Sequence, residues 1–178
     1  MIKIFRHLKL IALLLCLLII PDSAYAQFNI GPQFAIPVSG IEESFEWGLG
    51  GGFLMEIPIS KSVSLVGQFD FMHWVKNKKQ EEKRRLGHAG FQAGVRLYPG
   101  RKVYVQGWGG AFGVSSDKTF YDPKTGQGDS EYGWAIGAGY LPSRRTDLGL
   151  RLQSIGLVKF LAIKMDYRLD VKKKDEYK

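Results

Sequence analysis

Thiols are all but missing from this chain. Its one cysteine, Cys16, sits inside an N-terminal apolar stretch, so the remainder can build no disulfide, no thiolate metal centre and no cysteine nucleophile. Helical periodicity is missing too: no segment repeats apolar residues at i, i+3, i+4 and i+7 over the length a helix needs. No Gly-x-Ser-x-Gly elbow occurs, which removes one common route to a serine hydrolase. The single long hydrophobic run, residues 10–20, is about half the 20 residues a membrane-crossing helix requires.

That run reads instead as the core of a leader. Lys3, Arg6 and Lys9 precede it, Pro21-Asp22 ends it, and Ala24-Tyr25-Ala26 matches the small-x-small cleavage rule. The expected division is a signal peptide over 1–26, a barrel domain over 27–169 and a short charged tail over 170–178. Leu15 stands before Cys16 where lipidation wants a small residue, and the apolar run continues past the cysteine. Three basic residues and one acidic residue leave with the leader, taking the formal charge of +8 to about +6. Basic balance alone would suit nucleic acid, but no motif of an RNA-binding module accompanies it, and an exported chain does not meet that partner.

What the chain does contain is alternation. In residues 86–98, Gly87, Ala89, Phe91, Ala93, Val95 and Leu97 alternate with positions that include His88, Gln92 and Arg96. Successive strand side chains point to opposite faces, so one face is apolar and the other polar. Similar segments span 28–36, 46–57, 63–74, 103–114, 131–141, 147–155 and 160–169. Short turns such as Pro99-Gly100-Arg101 separate some of them, and longer polar stretches separate others. Eight strands with alternating short and long connections predict an all-β fold: an antiparallel, up-and-down transmembrane β-barrel with both termini and the short turns in the periplasm.

Charge assigns the faces. A charged side chain facing lipid costs about 2 to 4 kcal/mol at mid-bilayer, so the uncharged set, typified by Leu49, Phe53, Leu65, Phe69, Ile136, Leu150 and Ile163, faces outward. The complementary set faces the lumen. Its charge network is expected to comprise Glu46, Glu56, Asp70, Arg96, Arg151, Lys164, Asp166 and Arg168, together with Asp147. A barrel of eight strands is only wide enough to be filled by side chains, which predicts a plugged interior. Trp47, Phe71, Trp74 and Trp134 near one set of strand ends, and Phe28, Tyr98, Tyr140 and Tyr167 near the other, are expected to form the two interfacial aromatic girdles. Pro32 should mark a local defect. Trp108 and Phe112 fall out of phase with Val103 and Val105.

In the segments Phe28-Asn29-Ile30-Gly31-Pro32-Gln33-Phe34, Gly48-Leu49-Gly50-Gly51-Gly52, Asp147-Leu148-Gly149-Leu150-Arg151-Leu152 and the closing 161–169, the chain resembles the small outer-membrane β-barrel proteins. These are the eight-stranded kind typified by OmpX and the OmpA barrel domain, especially the "porin family" barrels of Bacteroidetes-like bacteria. The resemblance implies a Gram-negative outer-membrane protein inserted by the barrel-assembly machinery, without cofactor and monomeric. Such proteins often end on an aromatic residue; here a charged tail follows Leu169.

Candidate chemistry is sparse. Some eight-stranded barrels modify lipid A, and His88, Ser115 or Ser116, and Glu131 could form a rim group. Neither His73 nor His88 has the His-x-Ser arrangement of the deacylases, so no catalytic residue is assigned and the chain is read as a non-enzyme with a structural or surface-interaction role. Asp122, Asp129 and Glu131 lack calcium-loop spacing, so no metal is assigned. The clearest interaction candidate is a basic run, Lys76, Lys78, Lys79, Lys83, Arg84 and Arg85 against Glu81 and Glu82, placed to meet lipopolysaccharide phosphates. The alternatives are a lipid A-modifying enzyme with a rim site and a soluble exported barrel that binds a small ligand.

Overall fold

A computed structural model describes residues 26–77, 86–116 and 129–169. The expected tail, and the leader apart from Ala26, lie outside the described residues. Eight strands follow one another: β1 (Gln27–Ser39), β2 (Phe45–Pro58), β3 (Val63–Lys76), β4 (Leu86–Leu97), β5 (Val103–Ser116), β6 (Asp129–Tyr140), β7 (Thr146–Ile155) and β8 (Val158–Leu169). Each pairs antiparallel with its sequence neighbours, and β8 pairs with β1 to close the barrel. Closure leaves no open strand edge, the condition for putting a sheet into lipid.

Register fixes the size. A path leaving β1 at Gln27 crosses paired residues Glu56, Val66, Gly94, Trp108, Ala135, Gln153 and Phe160 and returns to β1 at Pro37, ten residues further along. Eight strands with that stagger tilt by about 40° and enclose a cylinder roughly 16 Å across between opposite backbones. Once inward side chains are added, little open width is left.

Alternation sorts the residues as the charge argument requires. Leu49, Phe71, Phe91, Ile136, Leu150, Ile163 and Met165 are exposed on the outer face. Between the rims this belt carries no charged side chain among the described residues. Inside, four large aromatics each stand across the ladder from a glycine: Trp74 from Gly48, Tyr104 from Gly139, Trp108 from Gly94 and Phe112 from Gly90. A methyl group at any of these glycines would come within 3 Å of the ring, or of the ring's own Cβ, across the ladder. The glycine content is therefore the space in which the interior aromatics lie. This accounts for β5, where Tyr104, Trp108 and Phe112 share the inward face and leave Val103, Val105, Gly107 and Gly109 outside.

Three sequence expectations need correction. Glu46 is exposed at the rim, because a bulge between Phe45 and Trp47 shifts the register there and turns Phe45 inward. Trp74 does not join a lipid girdle; it is 2% exposed and lies inside the barrel. Tyr98 also turns inward, its hydroxyl donating to Glu56 at 2.5 Å. Pro32 does interrupt the β1–β8 ladder, since Ile30 and Gln33 pair with Tyr167 and Lys164 and nothing pairs between them, but the register shift lies further on, between Pro37 and Ser39. The β7–β8 connection is short, as its sequence implies: Gly156 and Leu157 form a two-residue turn with Gly156 at φ 54°, where a left-handed backbone favours glycine.

Candidate functional site: the lumen and its two ends

The interior is layered along the barrel axis. At the end that carries the long connections, Ile41 folds in from the β1–β2 loop and packs with Phe45, Met72, Trp74, Leu86, Phe112, Ile155 and Phe160 into one buried apolar cluster. His88 is embedded beside it. Its Nδ1 accepts a hydrogen bond from Trp74 Nε1 at 3.3 Å, and its ring lies 5.4 Å from Phe160 and 5.8 Å from Phe112 between centroids.

The middle layer is polar and centred on Asp70, which is fully buried. Its carboxylate accepts from Gln68, from Gln92 Nε2 at 2.5 Å and from Arg151 Nη2 at 2.8 Å. Arg151 Nη2 also donates to Gln33 Oε1 at 2.6 Å. Lys164 and Asp166 make a second ion pair at 3.0 Å. A cavity of about 10 Å³ borders Trp108, Arg151, Lys164 and Asp166, about the space of one water molecule.

Toward the short turns the centre is Arg96, 1% exposed. Its Nη1 donates to Glu56 Oε2 at 3.1 Å and Asp147 Oδ2 at 2.9 Å, and its Nε donates to Gln106 Oε1 at 3.0 Å. The guanidinium lies 3.8 Å from the centre of the Tyr104 ring, whose hydroxyl donates to Asp147 Oδ1 at 2.6 Å. Arg168 approaches Glu56 at 3.8 Å. Burial pushes the Tyr98 phenol up to about 12, so it remains a donor to Glu56 at neutral pH. Beyond this layer the short-turn end opens into a cavity of about 300 Å³.

The structure thus brings together seven of the eight charges expected in the lumen, with Asp147 as a further partner, and leaves Glu46 outside. The partners Gln33, Tyr98, Tyr104 and Trp108 were not expected at this site. Tyr104 and Trp108 share strand parity with Gln106, which is the signal that marks them as inward.

The conceivable rim triad is not assembled through Ser115. His88 is buried against Trp74, Ser115 is exposed on the opposite face of the wall, and Glu131 is exposed beside Gly156, while the side chain of Ser116 lies outside the described residues. His73 is also exposed on the outer face. Of the basic run only Lys76 is described, at the end of β3; Lys78, Lys79, Lys83, Arg84 and Arg85 lie outside the described residues, as does Asp122.

No protein-family model and no curated protein matches the sequence. Solved structures do match the fold. The chain is similar to Ail, the attachment invasion locus protein of Yersinia pestis, at 14% identity and a TM-score of 0.56 over 82% of this chain and 99% of that one. Neisserial surface protein A gives 10% identity and 0.57 over 83% and 99%. A de novo designed transmembrane β-barrel gives 12% and 0.53 over 80% and 95%. Ail has also been solved in a bilayer nanodisc, described as an outer membrane protein, and in complex with the heparin analogue sucrose octasulfate. At these identities the likeness is one of fold: a small eight-stranded barrel of the outer-membrane type.

Proposed function

We propose that this chain is a non-enzymatic integral protein of a Gram-negative outer membrane. In this reading it is exported by its leader, inserted by the barrel-assembly machinery, and works as a monomeric, ion-tight barrel that presents its longer loops at the cell surface. The observation that carries the reading is the combination of an uncharged outer belt with a lumen occupied by an apolar cluster and by interlocked ion pairs. A soluble ligand-binding barrel would gain nothing from so wide an apolar exterior. The burial of His88 against Trp74 and the outward exposure of Ser115 disfavour the rim-enzyme alternative. The likeness to Ail, an outer membrane protein, and to a Neisserial surface protein supports the location.

Purified protein in planar bilayers is expected to show no steady conductance, because ion pairs spanning a narrow interior leave no continuous water path. Stable channels in repeated insertions would replace this reading with a porin.

Its surface partner, on this proposal, is lipopolysaccharide, held through Lys76, Lys78, Lys79, Lys83, Arg84 and Arg85. The support is the local positive excess on an externally placed connection, where each basic side chain near an anionic surface gains on the order of 1 kcal/mol. That Ail takes up a polyanion, sucrose octasulfate, is in keeping with such chemistry on this scaffold. Neutralising Lys78, Lys79, Arg84 and Arg85 together should weaken lipopolysaccharide co-purification at low salt, and the difference should shrink at high salt as screening takes over. Equal co-purification of both proteins at low salt would remove the loop from the interaction.

A further inference from the structure

Among the described residues the lumen stands open at the short-turn end of the barrel, and that end is strongly basic. Six cations, Lys61, Arg101, Lys102, Arg144, Arg145 and Arg168, sit on or beside the three turns, and residues 59–62, 98–102 and 141–145 contain no acid. Three of the six, Lys61, Arg101 and Arg168, line the cavity of about 300 Å³, with the hydroxyls of Ser60, Ser64 and Tyr98 on the same wall and Glu56 at its floor.

Charge bookkeeping across this mouth leaves a surplus. The two floor carboxylates, Glu56 and Asp147, are matched by Arg96, which contacts both, and by Arg168 at 3.8 Å from Glu56. Glu56 is further held by the Tyr98 hydroxyl. Lys61 and Arg101 come from separate turns, and neither has an ion-pair or hydrogen-bond partner among the described residues. Two unopposed positive charges therefore face one partly enclosed space already supplied with hydroxyl groups.

We propose that the periplasmic mouth is a binding site for a phosphate monoester, the dianion held between Lys61 and Arg101 with Arg168 as the deeper cation. A phosphate monoester carries about −1.5 to −2 charge at neutral pH, which offsets the surplus. The guanidinium of Arg101 can meet two phosphate oxygens at once, while lysine supplies a point charge from the other side. The site lies inside the ring of strands and faces the aqueous end of the lumen, so it selects a ligand small enough to enter the mouth. Lipid headgroups sit around the outer circumference and belong to a different surface.

The test uses full-length mature protein folded in a zwitterionic detergent and calorimetric titration with glycerol 3-phosphate, with glycerol as the uncharged control. Saturable one-to-one binding of the phosphate and none of glycerol is expected. Lys61→Gln and Arg101→Gln should each weaken it about tenfold, the loss of one charge-assisted contact, while Lys102→Gln, on the same turn but outside the cavity, should leave it unchanged. All three positions are exposed in turns, and heat-modifiable gel mobility verifies that each variant is folded. A parallel arm measures flotation of the same proteins with vesicles containing anionic phospholipid. No saturable heat with the phosphate, an equal loss from Lys102→Gln, or sensitivity to Lys61 and Arg101 seen only in the vesicle arm would overturn the assignment.

Discussion

Arg96→Ala should lower the stability of the folded barrel by about 3 to 5 kcal/mol, the cost of removing one partner from a buried ionic group. Arg96 is 1% exposed and holds two carboxylates, Glu56 and Asp147, that are 3% and 2% exposed. Without the guanidinium both charges stay buried, with Tyr98 and Tyr104 as neutral donors and Arg168 reaching only Glu56. Arg96→Lys should recover little, because a single ammonium cannot span Glu56, Asp147 and Gln106 or lie flat on the Tyr104 ring. The triple variant Arg96→Met, Glu56→Gln, Asp147→Asn should regain most of the loss, since removing every charge also removes the penalty for burying it. Urea titration of refolding into vesicles reads all three. A loss below about 1 kcal/mol for Arg96→Ala would mean that the layer is hydrated and its pairs are worth no more than surface ones.

Most of the polar lumen is legible in the sequence because lipid leaves no alternative. With period-two side chains and a charge-intolerant outside, Glu56, Asp70, Arg96, Arg151, Lys164 and Asp166 have only the lumen to face. Glu46 escapes the rule through the bulge between Phe45 and Trp47, which inserts one residue and reverses the phase beyond it. Nothing in Phe45-Glu46-Trp47 distinguishes a bulged strand from a regular one.

Trp74 and Tyr98 show a different failure. Both share strand parity with lumen residues, Trp74 with Asp70 and Tyr98 with Arg96, so alternation alone places them inside. The expectation of an aromatic girdle at the strand ends points the other way, and the structure follows parity. A ring at the end of a strand can serve lipid or core equally well, and the space available decides. Here the space for Trp74 is made by Gly48 on the neighbouring strand, and Tyr98 is held inward by its hydrogen bond to Glu56. The pairing of Gly48 with Trp74 depends on register, which neither composition nor periodicity contains. The basic mouth is likewise a product of strand pairing, since Lys61 and Arg101 stand 40 positions apart in the chain and meet through the β3–β4 ladder that sets Ser62 beside Tyr98.

Leu150→Arg should impair insertion by about 2 to 4 kcal/mol, the cost of a basic side chain near the bilayer midplane. Leu150 is exposed at 48% in the middle of β7, between Ile163 of β8 and Ala138 of β6. Leu157→Arg, at the tip of the β7–β8 turn and 86% exposed, should cost only about 0 to 1 kcal/mol, because the penalty falls away toward the interface. Two leucines in one hairpin, both open to solvent in the isolated chain, are thus separated by depth alone. Gln153→Arg is a poor comparison, since Gln153 is fully buried and enlarging it would strain the packed interior whatever surrounds the barrel. Folding yields into vesicles, read by gel mobility, should fall for Leu150→Arg and hold for Leu157→Arg and for the apolar control Leu150→Phe. A soluble barrel reverses the expectation, because Leu150→Arg would then replace an exposed apolar side chain by a hydrated one and leave folding intact without detergent. Equal yields for the two arginine variants would detach the outer belt from lipid and return the chain to that soluble alternative.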